Sequence, residues 1–146
     1  MDEIAVRFLA EEGAAVPEYK TEGSAGADVR ALLKERVVLK PGERAAVPTG
    51  LRIELPIGYE AQMRPRSGLA LQKGITCLNS PGTIDSDYRG ELKVILVNLG
   101  QEAVSIDSGD RIAQLVVSPV TRARFETVNE LGETERGSGG FGSTGK

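Results

Sequence analysis

The run "ELKVILVNL" (residues 91–99) is apolar at four consecutive positions, Val94, Ile95, Leu96 and Val97. Successive side chains of a strand point to opposite faces of its sheet. This run is therefore apolar on both faces, and a strand of that kind is covered on both sides. In an all-β chain of this size another subunit can supply the cover, so a homo-oligomer is expected. Further runs of strand-forming residues flank it: "IAVRFL" (4–9), "RVVLK" (36–40), "RAAVP" (44–48), "LRIEL" (51–55), "YEAQMRP" (59–65), "ITCLN" (75–79), "AVSI" (103–106) and "RIAQLVVSPV" (111–120). Pro-Gly, Leu-Gly and Ser-Gly-Asp turns punctuate them. Many short strands at this spacing, without long helical periodicity, predict an all-β fold, a jelly-roll-like barrel or sandwich. One short helix is expected at "SGLALQKG" (67–74), capped by Ser67 and stopped by Gly74.

The composition narrows the chemistry. The 146 residues suit one domain, and 40% hydrophobic residues supply a core. Net charge is -3, so the molecule as a whole does not look like a nucleic-acid binder. An anionic ligand is still compatible with positive charge focused in one cleft. Histidine is absent, which excludes a histidine-based nucleophile relay and histidine-ligated zinc. An enzymatic base is then expected to be Asp or Glu, and any metal a hard cation with oxygen ligands. The single cysteine, Cys77, lies in the apolar stretch "GITCLNS" and reads as an inert core thiol. The start "MDEIAVRFL" is acidic, unlike a secretion signal, and no run reaches membrane-spanning length. A cytoplasmic location with no membrane partner is expected.

Two stretches ask for more than a fold. "NSPGTIDSDYRGELKV" (79–94) sets Asp85, Asp87 and Tyr88 between a glycine turn and the apolar run. "NELGETERGSGGFGSTGK" (129–146) is dense in glycine, with Leu131 and Phe141 as its apolar residues. On composition the second reads as a linker. Against that, a linker has no use for Phe141, and glycine, serine and threonine backbones beside Arg136 can wrap phosphate oxygens. The chain divides accordingly into a β-domain over 1–128 and a flexible C-terminal segment over 129–146.

Five motifs stand out, "SAGADVRA" (24–31), "PRSGLA" (65–70), "GTIDSDYRGELKV" (82–94), "RIAQLVV" (111–117) and "RGSGGFGSTG" (136–145); most are weak signals alone, while the third and fifth are long and specific. In this order and spacing they resemble the motifs of the homotrimeric dUTPases (deoxyuridine triphosphate nucleotidohydrolases). The resemblance runs over nearly the whole chain. It implies hydrolysis of dUTP to dUMP and pyrophosphate by water attack on the α-phosphorus, with Mg²⁺ on the triphosphate. Such an enzyme limits uracil in DNA and supplies dUMP for thymidylate synthesis. It also implies a homotrimer with shared active sites.

The resemblance assigns roles residue by residue. Asp85 matches the carboxylate that holds the attacking water, and Tyr88 the ring that packs under the deoxyribose 2' carbon. Asn79 and the hairpin residues Gly82, Thr83 and Ile84 match the uracil-reading segment, where backbone groups can imitate a pairing partner. Arg66, Ser67 and Gly68 match the phosphate-binding second motif. Lys93 matches a substrate-contacting position, and Gln114 a glutamine near the α-phosphate. Asp28 is implied either near the water shell of the metal or in holding neighbouring basic side chains. In the tail, Phe141 would stack on uracil, while Arg136, Gly142, Ser143 and Thr144 complete the substrate-binding set as a lid. The alternatives are a dCTP deaminase-like enzyme of the same fold, a non-catalytic dUTP-binding or scaffold relative, and a jelly-roll interaction domain with no small ligand.

Overall fold

The computed structural model describes residues 1–145. Within them the chain forms β1 (Arg7–Ala10), β2 (Ala27–Arg30), β3 (Val37–Leu39), β4 (Arg44–Pro48), β5 (Leu51–Glu54), β6 (Tyr59–Arg64), α1 (Ser67–Lys73), β7 (Ile75–Cys77), β8 (Gly82–Ile84), β9 (Lys93–Asn98), β10 (Val104–Ile106) and β11 (Arg111–Pro119). The strands pair antiparallel into four small sheets, ordered β2-β11-β6-β8, β4-β9-β7, β1-β5 and β3-β10. The sheets stay open, so the jelly roll is sandwich-like and not a closed barrel.

One apolar cluster takes side chains from every strand except β1. Strict alternation gives β5, β7, β8 and β10 an inward and an outward face. Leu51, Ile75, Leu96 and Ile112 are fully buried, and burial of each side chain contributes about 1.5–3 kcal/mol. In β9, Val94 and Leu96 enter this cluster, Val97 is buried, and Ile95 is half-buried beside a cavity described below. Cover for β9 thus comes largely from its own chain, and the strand alone no longer argues for a second subunit.

Two expectations about local structure change. β1 begins later than the run 4–9 and is exposed throughout; the apolar contribution there is Val6, packed against the core just before the strand. The N-cap of α1 is Arg66, which has extended backbone and makes no side-chain cap bond, while Ser67 is the first helical residue. Gly74 does stop the helix. It has φ 68°, its N–H donates to the Ala70 carbonyl at 3.1 Å, and a Cβ there would lie 2.6 Å from Gly100 Cα. Only glycine meets both demands.

The segment 49–51 clamps the trailing end of the acidic hairpin. Leu92 N–H donates to the Leu51 carbonyl at 2.7 Å, and the Leu92 carbonyl accepts from the buried Thr49 hydroxyl at 2.6 Å. Gly50 N–H donates to Glu91 Oε2 at 3.2 Å. The loop from β8 to β9 is therefore fixed at its base by buried bonds, while its tip stays exposed.

Candidate active site

The loop borders a cavity of about 590 Å³. Asn79, Gly82, Thr83, Ile84, Asp85, Tyr88 and Lys93 line it, joined by Arg52 and Glu91. β8 is the edge strand of its sheet, so among the described residues one row of its backbone N–H and C=O groups has no neighbouring strand. Such a row can present alternating donors and acceptors to a planar ligand. Gly82 lacks a side chain where the Asn79 amide approaches, with Nδ2 3.0 Å from the place a Cβ would take.

Past β8 the chain turns. Tyr88 N–H donates to the Asp85 carbonyl at 3.2 Å, leaving the Asp85 carboxylate exposed at the cavity rim. The Tyr88 hydroxyl donates to the Glu91 carbonyl at 3.0 Å. Arg89 donates to the Ser86 carbonyl at 2.6 Å, tying the tip of the loop to itself. Cys77 also lines the cavity but is buried, and desolvation pushes its thiol up to about 11. It is a neutral thiol near pH 7, as its sequence context suggests.

A second group of expected residues gathers elsewhere, on β2 and β11. Asp28 and Gln114 are register partners across these strands, and Asp28 is 5% exposed. Its carboxylate accepts from Gln114 Nε2 at 3.3 Å and from Arg111 Nη1 at 3.3 Å, and Arg66 Nε lies 3.7 Å away. Arg66 also donates to the Arg111 carbonyl at 3.2 Å. One buried carboxylate thus holds two guanidinium groups and an amide. Gly26 makes room for this arrangement, since a Cβ there would meet Gln114 Oε1 at 2.9 Å. Ser67 and Gly68 follow Arg66 at the exposed start of α1.

Burial alone would push the Asp28 carboxyl up. The hydrogen bonds from Gln114 and Arg111, with the charges of Arg66 and Arg111, outweigh burial and hold it below the usual carboxylate range. A depressed folded pKa contributes stability that is full above the ordinary carboxylate range and is lost as pH falls through the folded value. Asp28→Asn should therefore lower stability at neutral pH, on the order of 1.5–3 kcal/mol for hydrogen bonds to a charged group. The gap from wild type should narrow in acid. Denaturant unfolding between neutral pH and about pH 3 checks this; a gap that stays constant would show that the Asp28 charge is not its source.

Arg111, Arg52, Glu91 and Gly26 were not picked out from the sequence. Arg111 and Gln114 are three apart, which strict alternation sends to opposite faces. A register irregularity between Arg111 and Ala113 breaks that alternation and lets both reach Asp28. The "RIAQ" tetrapeptide was visible, but not the bulge.

The tail behaves differently from the body. Nearly all of 121–145 is exposed, and its hydrogen bonds among the described residues are local turns, such as Arg136 Nε to the Gly139 carbonyl at 2.7 Å. Phe141 is fully exposed with φ 51°, left-handed backbone in which a bulky residue is rare. Neither the tail residues nor Arg66, Ser67, Gly68, Asp28 and Gln114 line the cavity at Asp85. Within one chain the expected site residues thus form three separate groups.

An all-β chain with an acidic hairpin over a cavity, an arginine pair anchored on a buried carboxylate and a glycine-rich terminal arm matches a known class. The family model for dUTPase matches residues 12–145, and the chain belongs to that family. A similar curated protein is the deoxyuridine 5'-triphosphate nucleotidohydrolase of Bdellovibrio bacteriovorus, 62% identical over 131 residues that cover 90% of this chain and 88% of that protein. Among solved structures, a variant of the Staphylococcus bacteriophage 80alpha dUTPase with dUpNHpp is 28% identical, with TM-score 0.84, covering 97% of this chain and 99% of that one. A variant dUTPase from phage phi11 of S. aureus, described with coordination of a structural Mg(II) ion, is 25% identical with TM-score 0.78, covering 87% of this chain and 98% of that one.

Proposed function

We infer that this chain hydrolyses dUTP to dUMP and pyrophosphate. The observation that carries the reading is the cavity at the free edge of β8 with Asp85 and Tyr88 on its rim, in a member of the dUTPase family. Uracil is read by backbone groups of Gly82, Thr83 and Ile84 and by the Asn79 amide. Cytosine reverses donor and acceptor at two positions, and such mismatches in a buried site are costly. Tyr88 faces the sugar. Asp85 holds a water for in-line attack on the α-phosphorus and takes its proton. The pyrophosphate leaves with its charge spread among guanidinium and amide donors.

Mg²⁺ fits this site as a companion of the substrate. Among the described residues no group of three or more carboxylate or cysteine side chains could cage a metal. Mg²⁺ keeps most of its waters and is commonly held by substrate phosphates with few protein ligands. When bound it would neutralise phosphate charge. Asp28 is read as the anchor of Arg66 and Arg111, because both of its oxygens already face donors.

Three separate groups in one chain support a site assembled from several chains. In this reading the hairpin of one subunit, the Arg66–Gln114 group of a second and the tail of a third meet in a homotrimer, and the 129–146 segment is the lid. A triphosphate whose base sits at β8 then adds to Arg52 and Lys93 of that cavity the Arg66, Gln114 and tail donors, which do not line it within one chain. The reading includes a cytoplasmic location, and no helix among the described residues is long and apolar enough to cross a membrane.

Pyrophosphate release from dUTP, dCTP, dTTP and UTP, with and without Mg²⁺, tests the activity. Strong preference for dUTP is expected, with no ammonia from dCTP. Equal turnover of dUTP and dTTP would sink the specificity argument, and ammonia release would point to the deaminase alternative.

A further inference from the structure

We propose that Gly90 is a specificity-determining positioning residue, which sets the treatment of the sugar 2' position by leaving space for the Tyr88 ring. The inference rests on the dUTP reading above. A Cβ on Gly90 would lie 2.6 Å from Tyr88 Cζ and 2.9 Å from Cε2, and would also crowd the hydroxyl oxygen. Gly90 is not among the glycines with positive φ, so no left-handed backbone demands glycine there. Space alone is what demands glycine here.

The surroundings decide which partner yields. Glu91 cannot follow a displaced ring. Its carboxylate is held by Gly50 N–H, and the next residue, Leu92, is bonded on both its N–H and its carbonyl to 49–51. Tyr88 is 46% exposed and is the far end of a side chain on a surface loop. A methyl group at residue 90 therefore swings the ring out. It breaks the 3.0 Å bond from the Tyr88 hydroxyl to the Glu91 carbonyl and leaves the core untouched. The ring lines the cavity, so its departure opens room where a 2'-hydroxyl would sit. Gly90 and the Glu91 carbonyl together hold the ring: one gives it space and the other fixes its depth.

The test compares Gly90→Ala, Tyr88→Ala and the double variant by kcat/KM for dUTP and UTP. The preference for dUTP over UTP should fall roughly ten- to a hundredfold in Gly90→Ala, the scale of a misplaced positioning group. The same substitution should change nothing further once the ring is gone. An unchanged preference in Gly90→Ala, or an equal loss in both backgrounds, would overturn the proposal. A second measurement is independent of activity. With 3-fluorotyrosine at the three tyrosines, the fluorine resonance of Tyr88, assigned with Tyr88→Phe, should shift in nucleotide-free Gly90→Ala. A resonance that stays in place overturns the packing argument. If the single variant does not fold and the double variant does, ring and methyl compete for one space as proposed. If neither folds, Gly90 serves the backbone and the proposal fails. Absence of dUTP turnover by wild type would instead sink the activity reading, and the specificity claim with it.

Discussion

Asp85→Asn is expected to bind nucleotide nearly as tightly as wild type while turnover falls roughly 10²–10⁴-fold, the usual contribution of a general base. The geometry makes the substitution a clean one. The loop at Asp85 is closed through its backbone, by Tyr88 N–H on the Asp85 carbonyl at 3.2 Å, and that bond survives in the variant. The side chain is exposed at the cavity rim and, among the described residues, makes no hydrogen bond that the fold depends on. An asparagine there keeps the size and polarity of the group but cannot accept a proton at neutral pH. With histidine absent from the chain, no imidazole stands ready to take over the role. Calorimetry with a non-hydrolysable dUTP analogue, set beside single-turnover rates, separates binding from chemistry. If affinity collapses together with turnover, Asp85 holds substrate or its metal ion and is not the base.

How much of this was legible in the sequence depends on whether the information was local. β1, β3, β4, β5, β6, β7, β9, β10 and β11 each overlap a run of strand-forming residues bounded by turn residues, because strand period and turn chemistry are written in neighbouring positions. β2 was seen as a motif and not as a strand. Its residues Ala27, Asp28 and Val29 are all buried, and a buried carboxylate hides the alternation that marks a strand. β8 is three residues long and starts with glycine, too short to show a period. The helix start shifted by one residue because Arg66 takes the cap position with backbone geometry alone.

The candidate site divides along the same line. Asp85, Tyr88, Gly82 and Asn79 lie in one continuous stretch and converge on one cavity. Asp28 had two readings that the sequence could not separate. Its partners are 83 and 86 positions away along the chain, and only the pairing of β2 with β11 brings them together. Arg111 needed a bulge, and Gly90 needed the direction of a tyrosine ring. Both are facts about three-dimensional neighbours.

The remaining large effect concerns the tail. Truncation after Glu135 is expected to leave the proposed trimer nearly inactive, because it removes Arg136 and Phe141 together. The structure gives a reason to look for the tail's target on another chain. From Thr121 onward the hydrogen bonds are local, and the tail residues are apart from the cavity that holds Asp85. Two inactive proteins can complement each other if the site is shared: Asp85→Asn with an intact tail, and the truncated chain with an intact Asp85. Refolded together, every mixed trimer should hold roughly one intact site in three. Cyclic symmetry always places one tailed chain next to one chain bearing the aspartate. Activity should then reappear on mixing and follow the fraction of mixed trimers seen by native mass spectrometry. If each tail instead closes over its own Asp85, no mixed trimer contains a complete site and the mixture stays as inactive as its parts. That result, with mixed trimers confirmed, would overturn the shared site while leaving the assignment of Asp85 as base intact.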